Sequence, residues 1–403
     1  MEAYDVLIVG GGAAGFFAAV NAAKQNPKLN IGILERGNSV LSKVKISGGG
    51  RCNVTHAEFI PNVLATHYPR GEKELKGPFH AFMTGDTIAW FESRGIPLKI
   101  EDDGRIFPVS NRAQTIIDCF LDEIQKYGVT LMKNHSVQSI APLENGWQLE
   151  TSKGLFSCQK LLIATGSNPK IWNLLAALGL HIISAVPSLF TFDIDDERIK
   201  DIPGVVAKNV YIEVLGTNLA SDGPLLITHS GLSAPSILKL SAFGAIELAA
   251  LNYCFDVKIN FIQQSEASCM QALLNSKSEL SKKQVRNSTI FNLPKRLWYK
   301  LVEASGISKT LRWAEVNKSQ LQALSNQLTA AVFKVHGKST FKEEFVTAGG
   351  IDLKEIDFKT FESKRFKNLF FAGEILNIDG VTGGFNFQNA WTGAYLAAQE
   401  LSK

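Results

Sequence analysis

Residues 4–15 read Y-D-V-L-I-V-G-G-G-A-A-G, and this stretch decides the fold. Residues 5–9 form a short apolar run, which is typical of a strand buried on both faces of a parallel sheet. The run ends in glycines at positions 10, 12 and 15, and small apolar residues at helical spacing follow. In such a unit, Gly10 makes the tight turn, Gly12 admits a phosphate close to the backbone, and Gly15 lets helix and strand pack closely. The stretch therefore predicts a Rossmann-type site for the pyrophosphate of a dinucleotide; a purely structural glycine turn is the alternative.

A second apolar run, residues 31–34, ends at Glu35. This acid lies twenty residues after Gly15, where a carboxylate can accept hydrogen bonds from ribose hydroxyls. The helix N-terminus that follows the glycines offers unpaired N–H groups and a partial positive charge to an anion. The first 35 residues thus predict contacts to both a pyrophosphate and a ribose.

Composition sets broad limits on the class of protein. The chain has 403 residues, of which 45% are hydrophobic and 20% charged, and this length predicts about two or three domains. The net charge of +4 is too small to argue for nucleic acid, so a small molecule is the expected substrate. Five cysteines, odd in number and without a C-x-x-C pair, indicate a reducing compartment.

No apolar run reaches the roughly 20 residues of a membrane span. No basic leader precedes the first strand, so we expect a cytoplasmic protein without a membrane partner. The histidines and cysteines lack ligand-like spacing, and no metal is expected.

Residues 41–53 read L-S-K-V-K-I-S-G-G-G-R-C-N. Three consecutive glycines give a backbone that can lie flat against a planar or phosphorylated ligand. Lys43, Lys45 and Arg51 place positive charge beside them. The stretch predicts a ligand-binding loop, and a flexible surface loop is the alternative.

Residues 161–166 form another apolar run that ends in Thr165 and Gly166. In a doubly wound sheet these two residues lie at a carboxyl strand end, beside the ligand crevice. Before residue 160, the remaining periodicity predicts helices at 84–93 and 110–127, the second capped by Ser110 and closed by Gly128, and strands at 105–108, 129–132, 135–140, 147–151 and 154–158. A β region follows at 187–260, with strands at 191–194, 210–214 and 225–228, the loop 228–235 and a helix from 236. A helical region is predicted at 264–330, with helices at 277–284 and 318–331, and then a strand at 341–346.

The C-terminal segment returns to the first domain. Residues 368–374 form a buried type of strand that ends in Gly373 and Glu374, and a glycine-rich turn then opens a helix that runs to Leu401. A second helix N-terminus suits a flavin, because reduction places negative charge on the N1–C2=O edge of the ring. Glu374 is a candidate to hydrogen-bond the ribityl chain. A plain helix cap is the alternative.

Two motifs are specific enough to suggest a family: S-G-G-G-R-C-N at 47–53 and G-E-x-x-x-x-D-G-x-T-G-G-F-N at 373–386. With the N-terminal glycines, Glu35 and residues 103–108, 164–166 and 347–350, they make the chain resemble the BaiN/YhiN-type family of FAD-dependent oxidoreductases over nearly its whole length. The loop 228–235 is also similar, with Ala234 where glycine is usual. The resemblance implies a discontinuous Rossmann-type FAD-binding domain at 1–187 and 346–403, an inserted β-barrel-like domain at 188–262 and 332–345, and a small helical subdomain at 263–331.

The resemblance also implies non-covalent FAD and a set of contacts to it. The first glycines hold the pyrophosphate, Glu35 holds the ribose, and the Val137 backbone holds the adenine. The expected cofactor-binding residues are Gly10, Gly12, Ala13, Ala14, Gly15, Glu35, Arg36, Lys43, Gly49, Gly50, Arg51, Cys52, Asn53, Val137, Ala164, Thr165, Gly166, Gly373, Glu374, Asp379, Gly384, Phe385 and Asn386.

A flavin carries the electron chemistry, so the protein must hold a substrate carbon near flavin N5 and supply a proton where one is needed. His229 and Lys45 are the candidates for this catalytic role; a hydrogen-bonded loop histidine and a solvated lysine are the alternatives. Cys52 has no second cysteine close in sequence, which argues against a disulfide mechanism.

The electron donor and the substrate stay open. Only one complete G-x-G-x-x-G is present, so no second Rossmann domain for a nicotinamide is predicted. NAD(P)H docking transiently over the flavin and reoxidation by oxygen, as in an amine oxidase, are both open routes. Two further alternatives are a redox-sensing flavoprotein without turnover and an RNA-modifying flavoprotein, for which the helical region supplies basic residues at 277, 282, 283, 286, 295, 296 and 300. The oligomeric state is also open.

Overall fold

The computed structural model describes residues 1–339 and 346–403. Backbone contacts divide the chain into two compact units. The outer unit is formed by Met1–Val186 together with Lys342–Lys403, and the insert unit by Pro187–Phe341. The three-part division expected from the sequence stays a prediction, and residues 341–345 of the strand predicted at 341–346 lie outside the described residues.

The first part of the outer unit alternates strands and helices. Its elements are β1 (Glu2–Val9), α1 (Ala13–Gln25), β2 (Ile31–Leu34), α2 (Ser42–Gly50), β3 (Thr55–His56), α3 (Pro61–Ala65), α4 (Glu72–Ala81), α5 (Thr84–Glu92), β4 (Leu98–Ile100), β5 (Arg105–Pro108), α6 (Ala113–Lys126), β6 (Thr130–Met132), β7 (Val137–Leu143), β8 (Gly146–Thr151), β9 (Gly154–Ile163), α7 (Pro169–Ala177) and β10 (Ile182–Ser188).

The insert unit follows, and the chain then returns to the outer unit. The elements of the insert are β11 (Thr191–Asp193), β12 (Val206–Val214), β13 (Ala220–Ile227), β14 (Gly231–Ser233), α8 (Pro235–Phe243), α9 (Ala245–Ala250), β15 (Phe255–Asn260), α10 (Glu266–Glu279), α11 (Lys295–Ala304), α12 (Lys318–Thr329), β16 (Ala331–Val335) and β17 (Gly337–Ser339). The closing elements are β18 (Val346–Ile351), β19 (Ile356–Asp357), β20 (Glu362–Ser363), β21 (Leu369–Phe371) and α13 (Phe385–Leu401).

The main sheet of the outer unit has nine strands, with the order β19-β20-β21-β9-β1-β2-β6 and the β7–β8 hairpin joined to β9. Strand β1 pairs in parallel with β2 and β9, and β9 pairs in parallel with β21. The registers align the last residues of these four strands, Val9, Leu34, Ile163 and Phe371. The turns that follow the four strands therefore share one sheet edge, where open α/β sheets bind their ligands. This arrangement confirms the Rossmann-type fold predicted from the first stretch.

Helices α1 and α13 pack against each other, so the first and last parts of the chain share one core. Phe17 of α1 lies between Trp90 and Trp391, with ring centroids 4.6 and 5.1 Å away. Phe17 and Trp391 are fully buried, and burial of one such side chain contributes about 1.5–3 kcal/mol to the free energy of unfolding. This aromatic core fixes the N-terminal ends of the two helices relative to the sheet.

The insert unit contains a seven-stranded sheet with the order β16-β15-β12-β13-β14-β11-β17. All of these pairings are antiparallel. Helices α10, α11 and α12 share a hydrophobic core with this sheet, and its buried members include Trp298 and Leu328 of the helices and Val257 and Phe333 of the strands. These strands and helices lie in one compact unit, and the barrel-like and helical domains expected within it stay predictions.

Several boundaries differ from the sequence expectations. The two strands predicted at 154–158 and 161–164 are one long strand, β9, which pairs with β8 at its start and with β21 at its end. Helix α6 begins at Ala113 with Arg112 as N-cap, and the Ser110 hydroxyl instead lies 2.7 Å from the Thr115 hydroxyl.

Two helix predictions and one loop prediction in the insert unit also change. The helix predicted at 277–284 was wrong, because α10 ends at Glu279 and Gln284 pairs with Arg312 in an antiparallel bridge. The helix predicted to reach residue 331 ends at Thr329, where the chain turns into β16. The predicted loop 228–235 contains the short strand β14.

Candidate functional site

The three glycines after β1 have different surroundings. A Cβ built on Gly10 would lie 2.4 Å from the Ala164 carbonyl oxygen, and one on Gly15 would lie 2.0 Å from the Gly10 carbonyl oxygen. Packing alone therefore requires these two glycines. A Cβ on Gly12 meets no atom of the described residues within 4 Å, and its φ of −98° is open to any residue. Gly12 thus faces open space at the N-terminus of α1, where Ala13 begins the helix.

Glu35 shapes this glycine turn directly. Its two carboxylate oxygens accept hydrogen bonds from the Gly11 N–H at 2.8 Å and the Gly37 N–H at 2.7 Å. Arg36 is exposed beside it. Because each carboxylate oxygen has a second lone pair, Glu35 can hold the loop and still accept from a ligand hydroxyl.

Helices α1 and α13 both approach Gly373, which lies two residues after the last parallel strand. A Cβ built on Gly373 would lie 3.4 Å from the Ala14 Cβ in α1 and 3.8 Å from the Ala390 Cβ in α13. The first turn of α1 and the second turn of α13 therefore lie beside this strand end, at the carboxyl edge of the sheet. Each N-terminus brings unpaired N–H groups and partial positive charge to the same place.

Lys43 and Glu374 form an ion pair across this edge. Lys43 comes from α2 and is half exposed, whereas the Glu374 side chain is only 14% exposed. A Cβ on Gly166 would lie 3.6 Å from the Glu374 carboxylate. The structure thus brings together three predicted site residues from three separate segments, and Lys43 holds the carboxylate that was expected to meet a ribityl chain.

The stretch at 41–53, predicted as a loop, contains the short helix α2, which leaves helical geometry at Ser47. The following glycines have φ values of 58°, 68° and 83°. A Cβ on Gly48 would meet the Phe107 ring at 2.7 Å, while a Cβ on Gly49 would meet nothing within 4 Å. Gly49 and Gly50 therefore expose bare backbone, which fits the predicted contact with a flat ligand.

The three residues after these glycines are held by neighbouring strands. The Arg51 guanidinium pairs with Glu101 at 2.6 Å and lies 3.8 Å above the Phe107 ring. Asn53 is buried and accepts a hydrogen bond from the Ile106 N–H. Burial raises the pKa of the Cys52 thiol to about 12. At neutral pH Cys52 is therefore a buried thiol rather than a nucleophile.

The loop before α13 is braced by its own residues. The Asn386 side chain accepts from the Gly380 N–H at 2.8 Å and donates to the Gly380 carbonyl at 3.0 Å. Gly384 has a φ of 100°, and a Cβ there would lie 2.7 Å from the Thr55 carbonyl oxygen. Asp379 was expected to contact the cofactor, but its fully buried carboxylate pairs with Arg70. These side chains set the direction of the α13 N-terminus.

Two histidines that sequence reasoning missed lie beside this N-terminus. His56 and His67 stack on Phe385, with ring centroids at 4.6 and 4.2 Å. The His56 Nδ1 lies 3.1 Å from the Gly383 carbonyl oxygen, which can only accept, so Nδ1 carries the proton and Nε2 is the site that can exchange one. His56 follows the motif at 47–53 by three residues, the only signal that marked it.

Buried polar atoms test whether these residues fit a polar ligand. Among the described residues, the Thr165 hydroxyl and both polar atoms of the Asn389 side chain are buried without a hydrogen-bond partner. Buried polar groups are rarely left unpaired in proteins. Thr165 follows β9 and Asn389 lies in the second turn of α13, so both belong to the elements that meet at this edge. The residues fit a dinucleotide cofactor with further polar groups.

Four further predicted residues differ in position and exposure. Ala164 is buried at the end of β9, and Val137 is buried at the start of β7. Lys45 is exposed on α2. His229 is exposed in the turn between β13 and β14 of the insert unit.

Other features of the described residues carry little chemistry. All five cysteines are free thiols. Within residues 1–339 and 346–403, no group of three His, Cys, Asp or Glu side chains has the geometry to hold a metal ion. Over the same residues, every helix is too short or too polar to cross a bilayer. A shallow depression beside Tyr4, Asn30 and Cys158 lies near the amino ends of the parallel strands, away from the glycine turns.

The fold and the site define the class of protein: a Rossmann-type FAD-dependent oxidoreductase. The chain belongs to the HI0933-like protein Rossmann domain family, whose model matches residues 4–400. This confirms the resemblance inferred from the motifs.

Relatives match over almost the whole chain. This chain is 29% identical over 414 residues to a ribosomal RNA dihydrouridine synthase of Escherichia coli, and the match covers 100% of this chain and 98% of the relative. It is 26% identical over 412 residues to a 3-dehydro-bile acid delta(4,6)-reductase of Clostridium scindens, with 98% of each covered. A 3-ketosteroid-delta4-(5alpha)-dehydrogenase of Rhodococcus jostii superposes with a TM-score of 0.53 at 12% identity, over 100% of this chain and 97% of that one, which shows a shared fold.

Proposed function

We propose that this protein uses non-covalent FAD to reduce a carbon–carbon double bond conjugated to a carbonyl group, with NAD(P)H as the electron donor. The observation that carries the proposal is that the first turn of α1 and the second turn of α13 both lie against Gly373, next to Glu374, which pairs with Lys43 of α2. Bound FAD supplies hydride transfer. The chain's own residues would bind the pyrophosphate at Gly12 and the ribose at Glu35, and would face the flavin with the α13 N-terminus.

The substrate class rests on what two relatives share. A dihydrouridine synthase and a delta(4,6)-reductase, named for the E. coli and C. scindens proteins, both act on a double bond conjugated to a carbonyl. In such a reduction the β-carbon receives a hydride and the α-carbon receives a proton. The two electrons come from the nicotinamide, and the proton comes from a protein group or from water.

His56 and His67 are the proposed sources of that proton. They lie beside Phe385 at the start of α13; the His56 Nδ1 lies 3.1 Å from the Gly383 carbonyl oxygen, and its Nε2 packs beside Gly104. Lys45 and His229 remain alternatives. Cys52 is disfavoured, because its buried thiol has a pKa raised to about 12.

A small unsaturated ketone is the first substrate to test. A uracil ring in RNA is the second, because Lys and Arg residues are concentrated in part of the insert unit.

The test begins with the absorption spectrum of the purified protein, which should show oxidised flavin. Denaturation should release this flavin, because it is bound non-covalently. Under nitrogen, NADH or NADPH should bleach it, and an unsaturated ketone or uridine-containing RNA should restore the colour. Rapid reoxidation by oxygen together with bleaching by amines would instead support the amine oxidase alternative. A protein that remains colourless after mixing with FAD would contradict the proposal outright.

A further inference from the structure

The positive charge of this chain is concentrated in one part of the insert unit. Between Lys277 and Lys318 there are ten Lys or Arg residues and three Glu residues, an excess larger than the +4 of the whole chain. The rest of the chain is therefore slightly acidic. Whole-chain net charge, the basis of the sequence argument against nucleic acid, hides this asymmetry.

We infer that this region is a docking surface for RNA, formed by Lys282, Lys283, Arg286, Lys295, Arg296 and Arg312, hereafter the basic face. The inference rests on the proposed function for the reaction and deepens it by naming the substrate's carrier. Its observations come from the insert unit alone.

Backbone and side-chain bonds bring the three segments of the basic face together. The backbone carbonyl of Lys283 accepts a hydrogen bond from the Trp313 backbone N–H at 3.0 Å. This bond lies next to the antiparallel bridge between Gln284 and Arg312. The Trp298 indole of α11 donates to the Val285 carbonyl at 3.1 Å. Residues 281–286 therefore lie between the 311–314 segment on one side and α11 on the other, and their charged side chains share one surface.

Most cations of the basic face are exposed to solvent. Lys282, Lys283, Lys295, Arg296 and Arg312 are exposed, and Arg286 is half-buried. In the described part of the chain, none of the six makes a salt bridge to a carboxylate.

One of the region's three acids, Glu315, contacts the main chain of the basic face. Glu315 accepts from the Arg312 backbone N–H at 2.9 Å, and Glu303 lies 4.0 Å from Lys309. Glu279 ends α10. The field of the six cations is therefore largely uncompensated at the surface.

An aromatic ring lies within the basic face. The Arg286 guanidinium lies 4.5 Å from the centre of the Tyr299 ring, which is partly exposed on α11. Guanidinium planes and aromatic rings are the groups on which unstacked RNA bases stack. The combination of phosphate-binding cations and a stacking platform is a feature of RNA-binding surfaces.

The surroundings favour RNA over a protein or a membrane. The large hydrophobic side chains that are exposed in the described residues all lie outside 281–320. A protein interface needs an apolar centre, and an amphipathic membrane contact needs an apolar face to insert. A polyanion that contributes mainly phosphates needs neither.

The experiment compares two double variants of the holoprotein, Lys282→Glu/Lys283→Glu and Lys295→Glu/Arg296→Glu, with Lys208→Glu/Lys239→Glu. The control lysines are exposed on β12 and α8 of the same unit and produce the same change in net charge. Binding to a fluorescein-labelled uridine-containing RNA hairpin is measured by anisotropy from 50 to 250 mM salt. Thermal unfolding and bound flavin are measured for every variant.

Each basic-face variant should bind the hairpin at least tenfold more weakly than the control variant. The slope of log affinity against log salt should fall by about 0.7–0.9 for each phosphate that the variant no longer neutralises. Equal weakening of RNA binding in all three variants would overturn the inference in favour of a general charge effect. If the basic-face variants lose binding to anionic vesicles but not to RNA, the surface contacts a membrane instead. If they lose binding to polyglutamate but not to RNA, the partner is an acidic protein.

A second readout separates this inference from the proposed function. NADPH-driven reduction of a small quinone monitors the flavin without RNA and should be unchanged in the basic-face variants. If the wild-type protein binds RNA but NADPH does not bleach its flavin, the proposed function fails and the docking surface stands. If the flavin is reduced normally and RNA binding is absent, the docking surface fails alone.

Discussion

Arg70 and Asp379 form a buried ion pair that joins the turn before α4 to the loop before α13. The Arg70 Nε lies 2.5 Å from one carboxylate oxygen, a second guanidinium nitrogen contacts the other, and the Asp379 side chain is fully buried. Next to this pair, the Tyr68 hydroxyl donates to the Phe385 carbonyl at 2.6 Å. The pair therefore holds in place the loop that aims the α13 N-terminus.

Removing one partner should be costly. Arg70→Met leaves a buried carboxylate without its counter-ion, and the free energy of unfolding should fall by about 3–5 kcal/mol. In Arg70→Met/Asp379→Asn no charge is left uncompensated, so a large part of this loss should be regained. Urea denaturation and flavin retention are the measurements. Lys76→Met, which removes an exposed pair with Glu72, should have little effect, and a similar loss there would contradict the prediction.

The glycines of the first turn should respond differently to the same substitution. Gly15→Ala forces a Cβ against the Gly10 carbonyl at 2.0 Å, so the apoprotein should lose about 1–3 kcal/mol of stability. Gly12→Ala meets open space and should cost the apoprotein at most about 1 kcal/mol, from the weaker N-cap.

FAD binding distinguishes the two variants further. The new methyl group of Gly12→Ala occupies the place where a phosphate would approach, so the dissociation constant measured by flavin fluorescence should rise at least tenfold. Unchanged FAD affinity in a folded Gly12→Ala protein would show that this glycine is not at the phosphate.

The parts of the fold that could be predicted are those that local residue patterns determine. The strand, glycine turn, helix and second strand of residues 2–34 follow from apolar runs and glycines within one short segment. The same is true of the strand and helix that include Phe371 and Phe385. A buried parallel strand has a continuous apolar pattern, and a helix N-terminus after glycines has a recognisable start.

What escaped prediction depends on contacts between distant residues. Asp379 pairs with Arg70, which lies 309 positions earlier in the sequence. No local sequence pattern reveals that this buried acid has a cationic partner. His56 and His67 come together at Phe385, more than 300 residues later, on which both rings stack. The basic face was visible as residue types, but its effect was hidden by a net charge summed over the whole chain.

Cys52 should be chemically silent in the folded protein. Its pKa is raised to about 12 by burial, whereas a thiol in an unfolded chain titrates near about 8.5. The stability that this thiol contributes is therefore complete below about pH 8.5 and is lost as the pH rises toward 12, because only the unfolded chain releases the proton in that range.

Thiol labelling tests this environment. At pH 8, iodoacetamide followed by peptide mapping should modify Cys254, which is exposed, and leave Cys52 unmodified until denaturant is added. Cys52→Ala should keep its flavin and its rate of reduction by NADPH within about twofold. Rapid labelling of Cys52, or loss of turnover in a folded Cys52→Ala protein, would restore a thiol mechanism.

His56 should affect one half of the catalytic cycle. His56→Phe keeps a ring to stack on Phe385 but removes the proton-exchanging Nε2 and the bond to Gly383. Bleaching by NADPH needs no proton from this group and should proceed at the wild-type rate. Reoxidation by an unsaturated carbonyl acceptor should slow by about 10²–10⁴-fold, the usual contribution of a positioned general acid.

His67→Phe and His135→Phe complete the comparison. His135 is a histidine whose Nδ1 also bonds a backbone carbonyl, that of Lys133, but it lies away from Phe385, so its substitution should leave both half-reactions unchanged. If His67 rather than His56 is the donor, the slow reoxidation should appear in His67→Phe alone. Equal slowing of both half-reactions in His56→Phe would mean that the ring only supports the α13 loop, since a proton donor acts in the second half-reaction and a displaced helix N-terminus affects both.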